Sequence, residues 1–163
     1  MVYIFLIAAV VAVDQALKYA VVHNLGMLNS VSVIDNFFYI HCIPNDGIAM
    51  GMMSGRQPVI IALTSLIMVG LCAFIIVCRK RLHPFLLSCV ALIVGGGIGN
   101  IIDRVHLGYV VDFFEFTFFD WPVFNVADIY VTCGITVMVF LMFFRYKEEN
   151  DFDFLKPGNR SAR

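Results

Sequence analysis

The sequence predicts a mainly α-helical membrane protein with four transmembrane helices, and three observations carry that expectation. Of the 163 residues, 61% are hydrophobic and only 14% are charged, where an ordinary soluble domain holds about half and about a quarter. Four apolar stretches, about 2–22, 57–78, 84–103 and 124–144, each come close to the ~20 residues a helix needs to cross ~30 Å of hydrocarbon. Most basic residues then fall on one side of that topology, with only Lys18, Arg56 and Arg104 left near the other. Arg79, Lys80 and Arg81 lie between the second and third spans, and Arg145, Lys147, Lys156, Arg160 and Arg163 follow the fourth. The positive-inside rule puts that side, and both termini, in the cytoplasm.

The first stretch differs from a cleaved secretory signal. It lacks a basic leading segment and a small-x-small cleavage site, and Asp14 and Lys18 interrupt its end, so it reads as a retained span. Outside the membrane then lie about 23–56 and 104–123. "SVSVIDNFFYIHCI" (30–43) alternates partially and is rich in β-branched and aromatic residues, which predicts short strands at the membrane surface, closed by the turn signal "PNDG". Residues 1–146 read as one membrane domain and 147–163 as a charged cytoplasmic tail.

In the third span, "GGGIGN" (95–100) is embedded in apolar sequence and reads as a packing surface, with Gly95 and Gly99 in small-xxx-small spacing. Five cysteines without a CxxC pair read as buried thiols, and four scattered histidines predict no metal site. A net charge of −1 with no basic stripe excludes a nucleic-acid partner.

The acids are the unusual feature. In this topology Asp14, Asp103, Asp112 and Asp128, with Asn100, gather near the outer face although they are far apart in sequence. Ionisable residues in spans are rare and face a bundle interior or a wet cavity. Each has a plainer reading. Asp14 and Lys18 are an i, i+4 pair, Asp103 and Arg104 could cap the third span, and Asn125 with Asp128 matches an N-cap followed by an acid at N3. Asp112 in "VVDFF" has no role in a cap or turn, and its plainer reading is a solvated loop acid, while Glu115 and Asp120 read as solvated or interfacial.

"DQALK" (14–18), "NDGIAMG" (45–51), "GGGIGNIIDR" (95–104), "GYVVDFF" (108–114) and "WPVFNVADIYVTCG" (121–134) together resemble the bacterial lipoprotein signal peptidases, or signal peptidase II, a family of intramembrane aspartic proteases. The resemblance implies a small extracytoplasmic β-cradle on the four helices and a site near the outer face of the bacterial cytoplasmic membrane. It also implies removal of signal peptides from prolipoproteins, by cleavage before a diacylglyceryl-modified cysteine. Partners would be lipid-modified prolipoproteins and membrane lipids, and no cofactor is implied. The catalytic pair would be Asp112 and Asp128, supported by Asp14, Lys18, Asn45, Gly47, Asn100, Asp103, Arg104 and Asn125. The chain departs from the family pattern at Ile48 and Met50, at Gly97 where Ala is common, and at Ile129 where a small residue is frequent.

Two carboxylates sharing a proton could activate a water and protonate a carbonyl without a metal. Asp128, near a helix N-terminus, suits the base and Asp112 the acid. Rival readings are a small proton-coupled transporter, which would spread polar groups through the membrane depth, and a non-catalytic scaffold with dispensable acids. A metal bound by Asp103, His106, Asp112 and Asp128 is a further alternative, which a chelator would expose.

Overall fold

A computed structural model describes residues 1–48, 52–80 and 82–144. Ala49, Met50 and Gly51 of the 45–51 motif, Arg81, and everything from Arg145, including the expected tail, lie outside the described residues.

Four helices, each long and apolar enough to span a membrane, run Val2–Asn24 (α1), Gln57–Cys78 (α2), Pro84–Leu107 (α3) and Val126–Phe144 (α4). Between them lie three strands, Ser30–Ile34 (β1), Phe38–Asn45 (β2) and Val110–Phe116 (β3), in one antiparallel sheet ordered β1-β2-β3. The expected fold class holds. Two boundaries shift for local reasons. The third helix runs past Arg104 to Leu107 and stops at Gly108, whose φ of 81° is a left-handed cap and whose N–H reaches Arg104 O at 3.1 Å. The fourth begins at Val126 rather than 124, because Phe124 is bridged to Phe114 of β3. Segment 110–116, expected as part of an outer loop, is a strand, because its backbone pairs antiparallel with β2.

The central helix is α3. Its Leu87, Ala91 and Val94 are fully buried, and it contacts each of the other helices. The glycines explain how. A Cβ at Gly95 would meet Val10 of α1, one at Gly96 would meet Ala127 O of α4 at 2.5 Å, and one at Gly97 would run into Met68 of α2. Small residues let helix backbones approach where lipid supplies no hydrophobic drive for association. The departure at Gly97 is therefore matched by the bulk of Met68. The outer faces carry large apolar residues, such as Leu66 and Val69 of α2 and Phe143 of α4, as lipid-facing surfaces require.

A second apolar cluster, Cys42, Val111, Phe113 and Val126, joins the sheet to the start of α4 and the end of α1. It fixes β3 against the helix ends. The five thiols are free, but only Cys42, Cys78 and Cys89 are buried, and Cys133 is exposed on α4.

Candidate active site

Asp112 lies on β3 and Asp128 in the first turn of α4. Asn125 stands between them. Its side chain accepts from Asp128 N at 3.0 Å, while its own N–H donates to Asp128 Oδ2 at 3.1 Å, a reciprocal cap at the helix start. The same side chain donates to Asp112 Oδ1 at 2.6 Å and to Asn100 Oδ1 at 3.1 Å. Asn100 in turn donates to Asp128 Oδ1 at 2.9 Å, and Asn45 donates to Asp112 Oδ2 at 2.7 Å. Three asparagines thus hold two carboxylates without adding charge.

Burial above all, and the nearby Asp128 charge with it, push the Asp112 carboxyl up from 3.8 to about 7. The hydrogen bonds from Asn45 and Asn125 and the more distant charge of Lys18 work the other way. Near neutral pH such a group can exist in either form.

Beneath this pair lies an ionic cluster. Lys18 Nζ contacts Asp14 Oδ2 at 3.0 Å, Asp103 Oδ2 at 2.9 Å and Asn100 Oδ1 at 2.9 Å, and all three charged groups are buried. Asp14 Oδ1 accepts the N–H of Ala127 at 3.0 Å, and Asp103 Oδ2 accepts that of Val111 at 3.1 Å. Each acid therefore grips the backbone one residue before Asp128 or Asp112. A Cβ at Gly99 would collide with Asp14 Oδ2, so this glycine makes room for the cluster.

The i, i+4 pairing of Asp14 with Lys18 is present, whereas Asp103 pairs with Lys18 and Arg104 does not join it. Adjacent helical residues point about 100° apart. Arg104 turns the other way, donating to Gly47 O at 2.7 Å and to its own helix at Asn100 O, 3.2 Å away. Gly47 N donates back to Asn45 Oδ1 at 3.0 Å, so Arg104 fastens the 45–48 loop beside Asp112. All ten residues singled out from the sequence are joined in this network.

Glu115 and Asp120 stay outside it. Glu115 pairs with His41 at 2.9 Å, and Asp120 is exposed. Of the departures from the family pattern, Ile129 is partly exposed and Gly97 packs on Met68. One member was not foreseen: Gln15 Nε2 donates to Asp103 Oδ1 at 2.8 Å, with longer contacts to Asp14 Oδ2 and Gly99 O. Its signal was an amide inside an apolar span, next to Asp14.

The family model for signal peptidase (SPase) II matches residues 6–144. The chain belongs to the signal peptidase II family. Among its relatives, the lipoprotein signal peptidase of Streptococcus thermophilus (strain CNRZ 1066) is 36% identical over 144 residues, covering 88% of this chain and 92% of that protein. The lipoprotein signal peptidase of Caldanaerobacter subterraneus subsp. tengcongensis is 38% identical over 142 residues, covering 87% and 96%. A bacterial membrane enzyme solved by the in meso method at 2.3 Å resolution superposes with a TM-score of 0.79 at 30% identity, covering 91% of this chain and 92% of that one. As a signal peptidase II, this multi-pass membrane protein is a protease that removes signal peptides. The transporter reading finds no support among these relatives.

Proposed function

We propose that this signal peptidase II cleaves lipid-modified prolipoproteins before the diacylglyceryl cysteine, with Asp112 and Asp128 as its catalytic pair. The observation that carries this is the bridging of the two carboxylates by Asn125, with Asp112 buried and its carboxyl raised to about 7.

Asp112 starts protonated and Asp128 ionised. Asp128 takes a proton from the attacking water as its oxygen bonds to the scissile carbonyl carbon, and Asp112 gives its proton to the carbonyl oxygen. In the tetrahedral adduct Asp112 then removes a hydroxyl proton, Asp128 protonates the nitrogen, and the C–N bond breaks. Both acids return to their starting states. Asn45 and Asn100 orient the carboxylates, while Lys18, Asp14, Asp103 and Gln15 frame the backbones that carry them.

The enzyme sits in the bacterial cytoplasmic membrane with both termini cytoplasmic, in keeping with Arg79 and Lys80 between α2 and α3. The site, at the sheet end of the bundle, then lies near the outer face. There lipid chains on the substrate keep an apolar berth while the peptide bond meets water. No metal enters this scheme. Both oxygens of Asp103, a ligand of the alternative metal site, are engaged by N–H donors of Gln15, Lys18 and Val111.

The test is cleavage of a lipid-modified prolipoprotein by the purified protein in detergent, with a chelator present. Undiminished turnover is expected, and loss of activity restored by added metal would replace the two-acid reading with a metal site.

A further inference from the structure

The polar residues around the two carboxylates come from α1, α3, α4 and the sheet, and none of those described so far belongs to α2. One side chain of α2 nevertheless reaches the same loop. Gln57, the first residue of α2, donates from Nε2 to the carbonyl oxygen of Asp46, eleven positions back.

That carbonyl and the N–H of Gly47 are the two ends of one peptide unit. In a planar trans unit they point opposite ways. The N–H end donates to Asn45 Oδ1 at 3.0 Å, and Asn45 Nδ2 donates to Asp112 Oδ2 at 2.7 Å. Strand β2 fixes the backbone of Asn45, which pairs with Val110. It does not fix the sense of the side-chain amide, which can present either oxygen or nitrogen to a neighbour. The Gly47 N–H decides this: by occupying Oδ1 it leaves Nδ2 for Asp112. A peptide unit followed by glycine is also the easiest to turn over, because glycine tolerates both resulting conformations. Arg104 grips the next carbonyl, that of Gly47. Gln57 grips that of Asp46, and with it the direction of the Gly47 N–H.

The other end of the Gln57 amide is left unsatisfied. Its Oε1 is buried with no hydrogen-bond partner among the described residues. Buried polar side-chain atoms are nearly always paired, so an exception calls for a reason. Departures of this kind concentrate at functional sites.

We propose that Gln57 is a positioning residue: by holding the Asp46 carbonyl it keeps the Gly47 N–H on Asn45, and so keeps Asn45 donating to Asp112. The inference rests on the catalytic reading of Asp112 above. Once the peptide unit is released, Asp112 loses a donor that favours its ionised form, and its carboxyl rises further.

The test is prolipoprotein cleavage across pH by purified Gln57→Met, Asn45→Ala, the double variant and Asp112→Asn. Gln57→Met is expected to lower kcat about tenfold, a modest case of the loss that misplaced catalytic groups cause, with KM near that of the wild type. The upper limb of kcat/KM, which reports the free enzyme, should move to higher pH. In the Asn45→Ala background the same substitution should change neither, because the two residues act in one path. Gln57→Glu keeps the size but sets an oxygen against the Asp46 carbonyl. It should reproduce Gln57→Met, and it carries the test if the methionine variant does not fold. Wild-type behaviour of Gln57→Met, a slower rate with the limb unmoved, or an undiminished loss on Asn45→Ala would overturn the proposal. Failure of both Gln57 variants to fold would equally overturn it, by making the residue structural. Turnover by Asp112→Asn would instead bring down the catalytic reading, and this inference with it.

Discussion

Asp112 and Asp128 are held by opposite sides of one residue. The Asn125 side chain donates to Asp112 at 2.6 Å, and its backbone N–H donates to Asp128 at 3.1 Å. Since Asn125 also caps α4, the helix start and the spacing of the two carboxylates are set together. Asn125→Ala removes the cap and the bridge at once. A lost cap costs about 1 kcal/mol, while turnover is expected to fall by about 10²-fold, as for other lost positioning contacts. Thermal unfolding and initial rates measured on one preparation separate the two effects.

The raised Asp112 carboxyl gives a pH signature. From its ordinary 3.8 up to about 7 the folded protein holds a proton that the unfolded chain has released. Stability therefore falls as pH rises through that window, and the slope disappears in Asp112→Asn. If Asp112 acts first as the acid, cleavage also declines as pH rises through about 7. Melting temperatures of both proteins across pH, together with wild-type initial rates, check both limbs.

Lys18 neutralises two buried acids that grip the backbone beside the pair. Lys18→Met leaves both without a cation, which costs about 3–5 kcal/mol for a broken buried pair. A large drop in melting temperature is expected. Adding Asp14→Asn to it should cost less than the two single losses combined, because the residues share one network.

Gly99→Ala is expected to destabilise by about 1–3 kcal/mol, as overpacking does, and to lower turnover, because the new methyl displaces Asp14. Gly70→Ala on α2 meets open space and should leave both unchanged. Parallel melts and cleavage assays of the two variants decide the matter.

Much of this was legible because it is local. The second span was read as 57–78, the bounds of the helix itself, since length and apolarity alone define it. Asn125 and Asp128 announced their cap by a spacing of three. The third span was read too short because Asp103 and Arg104 look like an interfacial end, whereas both are buried within the helix, Asp103 paired with Lys18 and Arg104 bonded to the Gly47 carbonyl. That compensation is long-range and leaves no periodicity. The same holds for Gln15, whose partner Asp103 is 88 positions away, and for β3, whose strand character depends on pairing with β2.

The central claim is that Asp112 and Asp128 do the chemistry, and the most direct measurement is a gel-shift assay of prolipoprotein processing by purified Asp112→Asn, Asp128→Asn and Asp120→Asn. The first two should insert and fold yet lose at least the ~10²–10⁴-fold that acid–base catalysis supplies. Asp120→Asn, altered at an exposed position outside the network, should cleave like the wild type. Substantial turnover by either of the first two would contradict the claim.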